Sequence, residues 1–183
     1  MEIGATKAVQ DRLKTTKIEE SKGASLVFCW DTHLTKIKGR NVLFIVNASN
    51  RYTLAMTDIE PRNWNFYTMY IRSVIHGVMQ EMGYSEDQIG QYFKMSGDTT
   101  VTKTHGRKSV GGINRMVMDA QYFGKKLEKE AKYQWELSKY LNRDICQPEG
   151  FDAYGYPNEL FKLDMERLGI ATKRKPAKVI DFA

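Results

Sequence analysis

Five consecutive apolar residues, Val42-Leu43-Phe44-Ile45-Val46, constrain the fold of this chain more than any other feature of its sequence. An apolar run of this length is typical of a β-strand that is buried on both faces. The turn signal Gly39-Arg40-Asn41 precedes the run, and residues 34–38, which alternate apolar and polar side chains, precede the turn. The pattern therefore predicts a β-hairpin whose second strand lies inside a sheet.

Further β-prone segments extend this hairpin. Residues 1–6, 26–30 and 51–56 have strand-like composition, and the Thr-rich residues 98–104 predict a fifth strand. Apolar residues at three-and-four spacing predict helices over 64–82, after Ser85, after His105, over 133–141 and from Pro157. We expect an α+β fold in which an antiparallel sheet of four to five strands, beginning with an N-terminal hairpin or meander, packs against several helices.

The length of 183 residues suits one domain, which we place at residues 1–170, followed by a basic C-terminal tail at 171–183. The sequence contains no window of 18 apolar residues and no signal-peptide pattern, so we expect a cytoplasmic protein. Its two cysteines, Cys29 and Cys146, lie far apart in sequence and have no neighbouring motif, so we expect both to be structural.

The net charge of +6 is concentrated in two stretches that contain no acidic residue. Residues 32–57 carry Lys36, Lys38, Arg40 and Arg51, and residues 99–118 carry Lys103, Arg107, Lys108 and Arg115. Because an excess of cations favours polyanions, we expect a nucleic acid, RNA in particular, or a nucleoprotein as partner, and no membrane.

The motif Trp30-Asp31-Thr32-His33 leads into the first basic stretch, and His33 carries an imidazole, a group that ordinarily titrates near neutral pH. RNA cleavage without a metal needs a base, an acid and cations for the phosphorane charge. We therefore predict a catalytic set of His33, Lys36, Asp31 and His105, and an RNA contact at Lys38, Arg40, Arg51 and Tyr52. The alternative is a solvent-exposed hairpin face with a hydrogen-bonded histidine.

The second basic stretch, Lys103-Thr104-His105-Gly106-Arg107-Lys108-Ser109, leads from a predicted strand into a predicted helix. Because the first amides of a helix attract anions, Lys103, Arg107 and Lys108 are further candidates for binding nucleic acid. A plain basic loop is the alternative. If this loop and the hairpin share one side of the sheet, His33 and His105 can form an acid and base pair.

Motifs for other chemistry are missing from the sequence. The three histidines and the acidic residues do not have the sequence spacing that is typical of zinc or two-metal sites, and His76 falls within a predicted helix. Neither a nucleophile elbow nor a dinucleotide-binding glycine motif occurs. We therefore expect no metal and no cofactor.

Several short motifs stand out together: Ile3-Gly4-Ala5-Thr6-Lys7, Phe28-Cys29-Trp30-Asp31-Thr32-His33, Val46-Asn47, Asn50-Arg51-Tyr52, Val101-Thr102-Lys103-Thr104 and Tyr156-Pro157-Asn158-Glu159. On these motifs the chain resembles an uncharacterised bacterial domain family found in Firmicutes and their mobile elements. The resemblance spans residues 1–163. The family carries no established activity, so it implies none for this chain.

In size, charge and overall appearance the chain also resembles streptococcal type II anti-CRISPR proteins, which are phage and mobile-element inhibitors of Cas9 that lead to guide RNA truncation. This resemblance implies a protein of the bacterial host cytoplasm that engages the Cas9–guide RNA complex through residues 26–46 and promotes guide RNA cleavage. Such a metal-independent ribonuclease activity would depend on Cas9. The residues leave two alternatives open: a stoichiometric binder of a nucleoprotein or host protein, and a domain with a small ligand in an apolar pocket.

Overall fold

The computed structural model describes residues 1–15 and 18–172. Its sheet has the strand order β4-β3-β2-β1-β5. The strands are β1 (Glu2–Ala5), β2 (Cys29–Ile37), β3 (Arg40–Asn47), β4 (Thr53–Thr57) and β5 (Thr100–Thr102). Strands β2, β3 and β4 form the predicted antiparallel meander. The α+β class is confirmed.

Strand β1 pairs in parallel with both β2 and β5, which the sequence pattern did not predict. A parallel pair needs a crossover connection, and helix α1 (Lys7–Leu13) begins that connection from β1 to β2. A 3-10 turn at Leu26–Phe28 ends it, where we had expected a strand from residue 26. Strands β1 and β5 thus add a parallel edge to the meander.

The predicted hairpin turn lies at Lys38 and Gly39, one residue earlier than expected. Ile37 pairs directly with Arg40, which leaves a loop of these two residues, and both have positive φ angles, 49° and 81°. Two positive φ angles are the signature of a type I′ turn, whose twist matches the twist of antiparallel strands. Arg40 therefore belongs to β3 rather than to the turn.

The run that predicted a doubly buried strand is buried on both faces, as expected. Leu43 and Ile45 join one hydrophobic cluster, while Val42, Phe44 and Val46 join another. Side chains alternate across a strand, so the two sets point to opposite faces of the sheet. Each face must therefore be covered by helices.

Six further helices follow in the described part of the chain: α2 (Pro61–Asn65), α3 (Tyr67–Glu81), α4 (Glu86–Ser96), α5 (Gly106–Gln121), α6 (Trp135–Leu141) and α7 (Pro157–Arg167). Helices α1, α3, α4 and α7 cover the face of Leu43, and α5 and α6 cover the face of Phe44. Ser85 caps α4 through the predicted capping box. The single helix predicted over 64–82 instead breaks at Phe66, where φ is −114° and ψ is 40°.

Three other expectations concern the two cysteines, a membrane span and the basic C-terminal tail. Cys29 and Cys146 are buried and unpaired. Among the described residues, no helix is both long enough and apolar enough to cross a membrane. The basic residues Lys173, Arg174 and Lys175 of the predicted tail lie outside the described ranges.

We expect Phe44→Ala to lower the free energy of unfolding by about 3–5 kcal/mol, because the ring is fully buried between the sheet and α5 and its loss leaves a cavity. Urea unfolding followed by circular dichroism measures the change. Tyr154→Ala is the control, since that ring is 70% exposed and its loss should change stability by less than about 0.5 kcal/mol. Equal effects of the two changes would contradict the assignment of β3 to the core.

Candidate functional site

A row of polar residues lies on the α5 side of the parallel edge. Cys29 and Asp31 share one face of β2 with Ile37, which packs in the cluster beneath α5. Glu2 and Gly4 of β1 lie beside them, since Glu2 pairs with Cys29 and Gly4 pairs with Asp31. The parallel register therefore brings an acidic residue from each strand to the same face.

The start of α5 closes over Asp31, whose side chain is 0% exposed. Nδ1 of His105 lies 2.7 Å from Oδ1 of Asp31, and the backbone N–H of His105 donates to the same carboxylate over 3.2 Å. The Ser109 hydroxyl, in the first turn of α5, donates to Oδ2. The residue before α5 and the first turn of α5 thus supply the hydrogen bonds for a carboxylate that has no access to water.

Gly4 makes this arrangement possible. A Cβ atom built at residue 4 would lie 1.8 Å from Oδ1 of Asp31 and 3.0 Å from the Cα atom of Thr104. The first distance is too short for non-bonded heavy atoms, and the second is tight and involves backbone, which cannot rotate away. Glycine at residue 4 therefore leaves the space in which the Asp31 carboxylate meets His105.

The second ring nitrogen of His105 contacts Glu2. Nε2 lies 3.0 Å from Oε2 of Glu2, and the backbone N–H of Lys22 donates to Oε1 over 2.8 Å. The side chains of His105 and Glu2 are only 3% and 5% exposed. The imidazole is thus held between two buried carboxylates, one at each nitrogen.

This environment sets the charge of the site. Burial acts to lower the pKa of His105, but hydrogen bonds to Asp31 and Cys29 and their charges outweigh it and raise that pKa to about 10. Burial acts to raise the pKa of Glu2, but hydrogen bonds from Ser21, Lys22 and His105 bring it below its ordinary value. In the metal-free protein at neutral pH, His105 is therefore a cation that donates from both nitrogens and has no lone pair for accepting a proton.

Cys29 adds a sulfur to the same place. One ligand atom each from Glu2, Cys29 and His105 can be chosen such that all three lie within 4.8 Å of one another. The Cys29 sulfur also lies 3.4 Å from the carbonyl oxygen of Ser25. A carboxylate oxygen, a thiol sulfur and an imidazole nitrogen that lie this close together can bind a transition-metal ion.

Of the four predicted catalytic residues, the structure joins Asp31 and His105. His33 lies two residues beyond Asp31 on the same face of β2, where its Nδ1 is 3.2 Å from the hydroxyl of Thr6. Burial lowers the pKa of His33, so its imidazole is neutral at pH 7. Lys36 is exposed, and strand alternation places its side chain on the opposite face from His33.

Two cations of the hairpin bind the loop that follows α5. The Lys38 ammonium donates to the carbonyl oxygens of Phe123 and Lys125, and the Arg40 guanidinium donates to the carbonyl of Glu128. Arg40 also forms an ion pair with Asp58. These contacts occupy the side chains that the sequence suggested for RNA.

Other predicted contact residues have different surroundings. Tyr52 lies in the core, where it is 6% exposed and its ring centroid lies 5.2 Å from that of Phe161. Lys103 is exposed and forms an ion pair with Glu20. Arg107 is exposed in the first turn of α5.

Arg51 and Lys108, from the two acid-free stretches, meet at one groove. Together with Arg115 they line a cavity of about 240 Å³ between α5 and residues 147–149, which we call the α5 groove. Arg51 lies across the helix, where its Nη2 donates to the carbonyl of Gly112 over 2.9 Å. A Cβ at residue 112 would lie 3.0 Å from Nε of Arg51, so glycine there allows the guanidinium to lie close to the helix.

Comparison with known proteins assigns the family. The model of DUF6933, a domain of unknown function, matches residues 2–160. The chain belongs to the DUF6933 family. Neither a curated protein nor a solved structure matches it. The matched residues run from β1 into α7, so this DUF6933 chain has both the buried carboxylates and the α5 groove inside the family domain.

Sequence reasoning found Asp31 and His105 but missed Glu2, Cys29 and Ser109 as their neighbours. One signal was available, because Glu2 is a charged residue within an apolar, strand-like opening segment. Its partner lies 103 residues away, and periodicity cannot reveal a contact of that separation.

We expect Gly4→Ala to lower the free energy of unfolding by about 1–3 kcal/mol or more, because the new methyl group displaces the buried Asp31 carboxylate. Urea unfolding measures the loss. Gly90→Ala on α4 is the matched control: its Cβ would meet nothing within 4 Å, and alanine should stabilise the helix by up to about 1 kcal/mol. A Gly4→Ala protein as stable as the wild type would contradict the packing described for Asp31.

In protein kept metal-free with EDTA, we expect His105 to make stability fall with rising pH. Its folded pKa of about 10 lies above the unfolded value of 6.5, so between these values the folded protein retains a proton that the unfolded chain releases. The free energy of unfolding then falls by at most about 1.4 kcal/mol per pH unit. Urea unfolding between about pH 7 and pH 9 should show a shallower decline for His105→Gln than for the wild type. Parallel declines would contradict the raised pKa.

Proposed function

We propose that this DUF6933 protein is a non-catalytic binding protein that engages the RNA of a nucleoprotein in the bacterial cytoplasm. The α5 groove carries the proposal, because it gathers Arg51, Lys108 and Arg115 around one cavity. Arginine and lysine neutralise phosphates, and their number in a groove sets both the affinity and its dependence on salt.

The charges around the groove favour an anion. Glu149 is the one acidic residue among its lining residues. Arg115 forms an ion pair with Asp119 over 3.2 Å, but the Arg115 side chain is 69% exposed, and pairs of this kind contribute little. The Arg115 guanidinium can therefore exchange this partner for a phosphate.

Rigid support under the groove also favours binding. Ser109 and His105 anchor the first turn of α5 to the buried Asp31, and Lys108 lies between them in sequence. A helix held in this way has a fixed backbone beneath its exposed cations, so anion binding costs side-chain entropy but little backbone entropy.

Cleavage of the RNA is the second candidate, and one observation favours it. His33 is neutral at pH 7, as a general base must be. Binding without catalysis is better supported, since His105 has both ring nitrogens engaged by carboxylates and Lys36 lies on the other face of the sheet. Among the residues that the structure describes, the predicted base, acid and cation therefore do not meet around His33.

The Cas9–guide RNA complex is the partner that we propose to test first. Its choice rests on the resemblance of the chain to anti-CRISPR proteins in size and charge. A basic groove suits such a complex because guide RNA presents a phosphate backbone that a small protein can contact without reading sequence.

We expect the chain to bind fluorescently labelled guide RNA, alone or loaded in Cas9, with a salt dependence set by three cations. The slope of log K against log salt should be about −2 for single-stranded RNA, from about −0.7 per phosphate contact. Lys108→Gln and Arg115→Gln should each weaken binding and reduce the magnitude of the slope by about 0.7, the contribution of one phosphate contact. Fluorescence anisotropy over a salt series measures both quantities.

The control is Lys94→Gln, an equal change of charge at an exposed lysine on α4, which should leave binding unchanged. Equal losses from all three changes would mean that net charge and not the groove binds the RNA. Denaturing gels of the same samples in EDTA should show intact RNA. Shortened guide RNA that disappears with His33→Ala would establish the ribonuclease instead.

A further inference from the structure

The ligand atoms of Glu2, Cys29 and His105 come from three separate parts of the chain. Glu2 belongs to β1, Cys29 begins β2 and His105 precedes α5, yet one ligand atom of each lies within 4.8 Å of the other two. The site is preformed by the sheet register, because β1 pairs Glu2 directly with Cys29. A cation placed between these atoms would need only small side-chain movements to reach all three.

The ligand types select the kind of metal. Zn²⁺ accepts thiolate sulfur, imidazole nitrogen and carboxylate oxygen, which is the combination present here. Mg²⁺ and Ca²⁺ prefer oxygen ligands throughout, so a thiol and an imidazole argue against them. A borderline transition-metal ion is therefore the class that this set of residues suits.

Asp31 supplies an independent indication. A histidine that binds a metal through one nitrogen commonly donates its other N–H to a carboxylate, which fixes the ring orientation and strengthens the ligand. Oδ1 of Asp31 lies 2.7 Å from Nδ1 of His105, and Nε2 lies on the side of Glu2. Ser109 holds the other Asp31 oxygen, so Asp31 is itself held in place.

Binding of a divalent ion at these residues would release protons, because a metal takes a thiolate sulfur and a neutral imidazole nitrogen as its ligands.

We propose that Glu2, Cys29 and His105 form a zinc site, with Asp31 as the residue that positions His105. Three protein ligands leave a fourth position for a water molecule. The ion joins β1, β2 and the start of α5, and its role is to stabilise the parallel edge of the sheet. The proposed zinc ligands and the lining residues of the α5 groove are different residues, so a failure of zinc binding would not by itself decide whether the groove binds RNA.

The test uses the full chain, purified without a polyhistidine tag and stripped with EDTA. Isothermal titration with ZnCl₂ should give one ion per chain. Titration with CoCl₂ should produce the near-ultraviolet band of a thiolate-to-cobalt transition together with visible bands of a four-coordinate ion. Absence of both the heat and the thiolate band would overturn the proposal.

Cys29→Ser is the decisive variant, and Cys146→Ser is its matched control, because both thiols are buried and unpaired. Cys29→Ser should remove the thiolate band and weaken zinc binding by more than tenfold, while Cys146→Ser changes neither. Asp31→Asn should weaken zinc binding by about 10–100-fold and keep the thiolate band. Circular dichroism confirms that each variant is folded, and Cys29→Ala replaces Cys29→Ser if it is not. Unaltered binding in the folded Cys29 variant would place any metal elsewhere and overturn the site.

Discussion

The Asp31 carboxylate has no contact with water, and the parallel edge of the sheet is organised around this constraint. A buried carboxylate is stable only when hydrogen-bond donors surround it, and breaking such a set leaves an uncompensated charge. The donors come from His105 and Ser109, so α5 must begin directly over β1 and β2. The same contact requires a glycine at residue 4, because a side chain there would occupy the place of the carboxylate.

Helix α5 carries this constraint from the interior to the surface. Its inner side satisfies Asp31 and packs Ile113 and Met116 against the sheet. Its outer side contributes Lys108 and Arg115 to the α5 groove. The position of the groove cations is therefore a consequence of a buried polar contact, and any change that releases the start of α5 should alter the groove as well.

The basic hairpin illustrates why a stretch without acidic residues is a weak sign of a free cationic surface. Positive side chains can be satisfied by backbone carbonyls or by acidic residues from elsewhere in the chain. The loop after α5 offers several carbonyls, and Asp58 pairs with Arg40. Lys38 and Arg40 donate to these carbonyls and thereby hold the hairpin against the loop. Arg51 likewise donates to a carbonyl, that of Gly112, but does so beside an open cavity.

Local patterns in the sequence determined the α+β class, the hairpin at Gly39, the double burial of residues 42–46 and the capping box at Ser85, because neighbouring residues decide each of these features. They also marked Asp31 and His105 as candidates. Only the tertiary structure decided that β1 enters the sheet in parallel, that Glu2 and Cys29 adjoin His105, and that Arg51 meets Lys108. Those pairings join residues separated by up to about a hundred positions. Their geometry follows from strand register and helix placement, which no local periodicity contains.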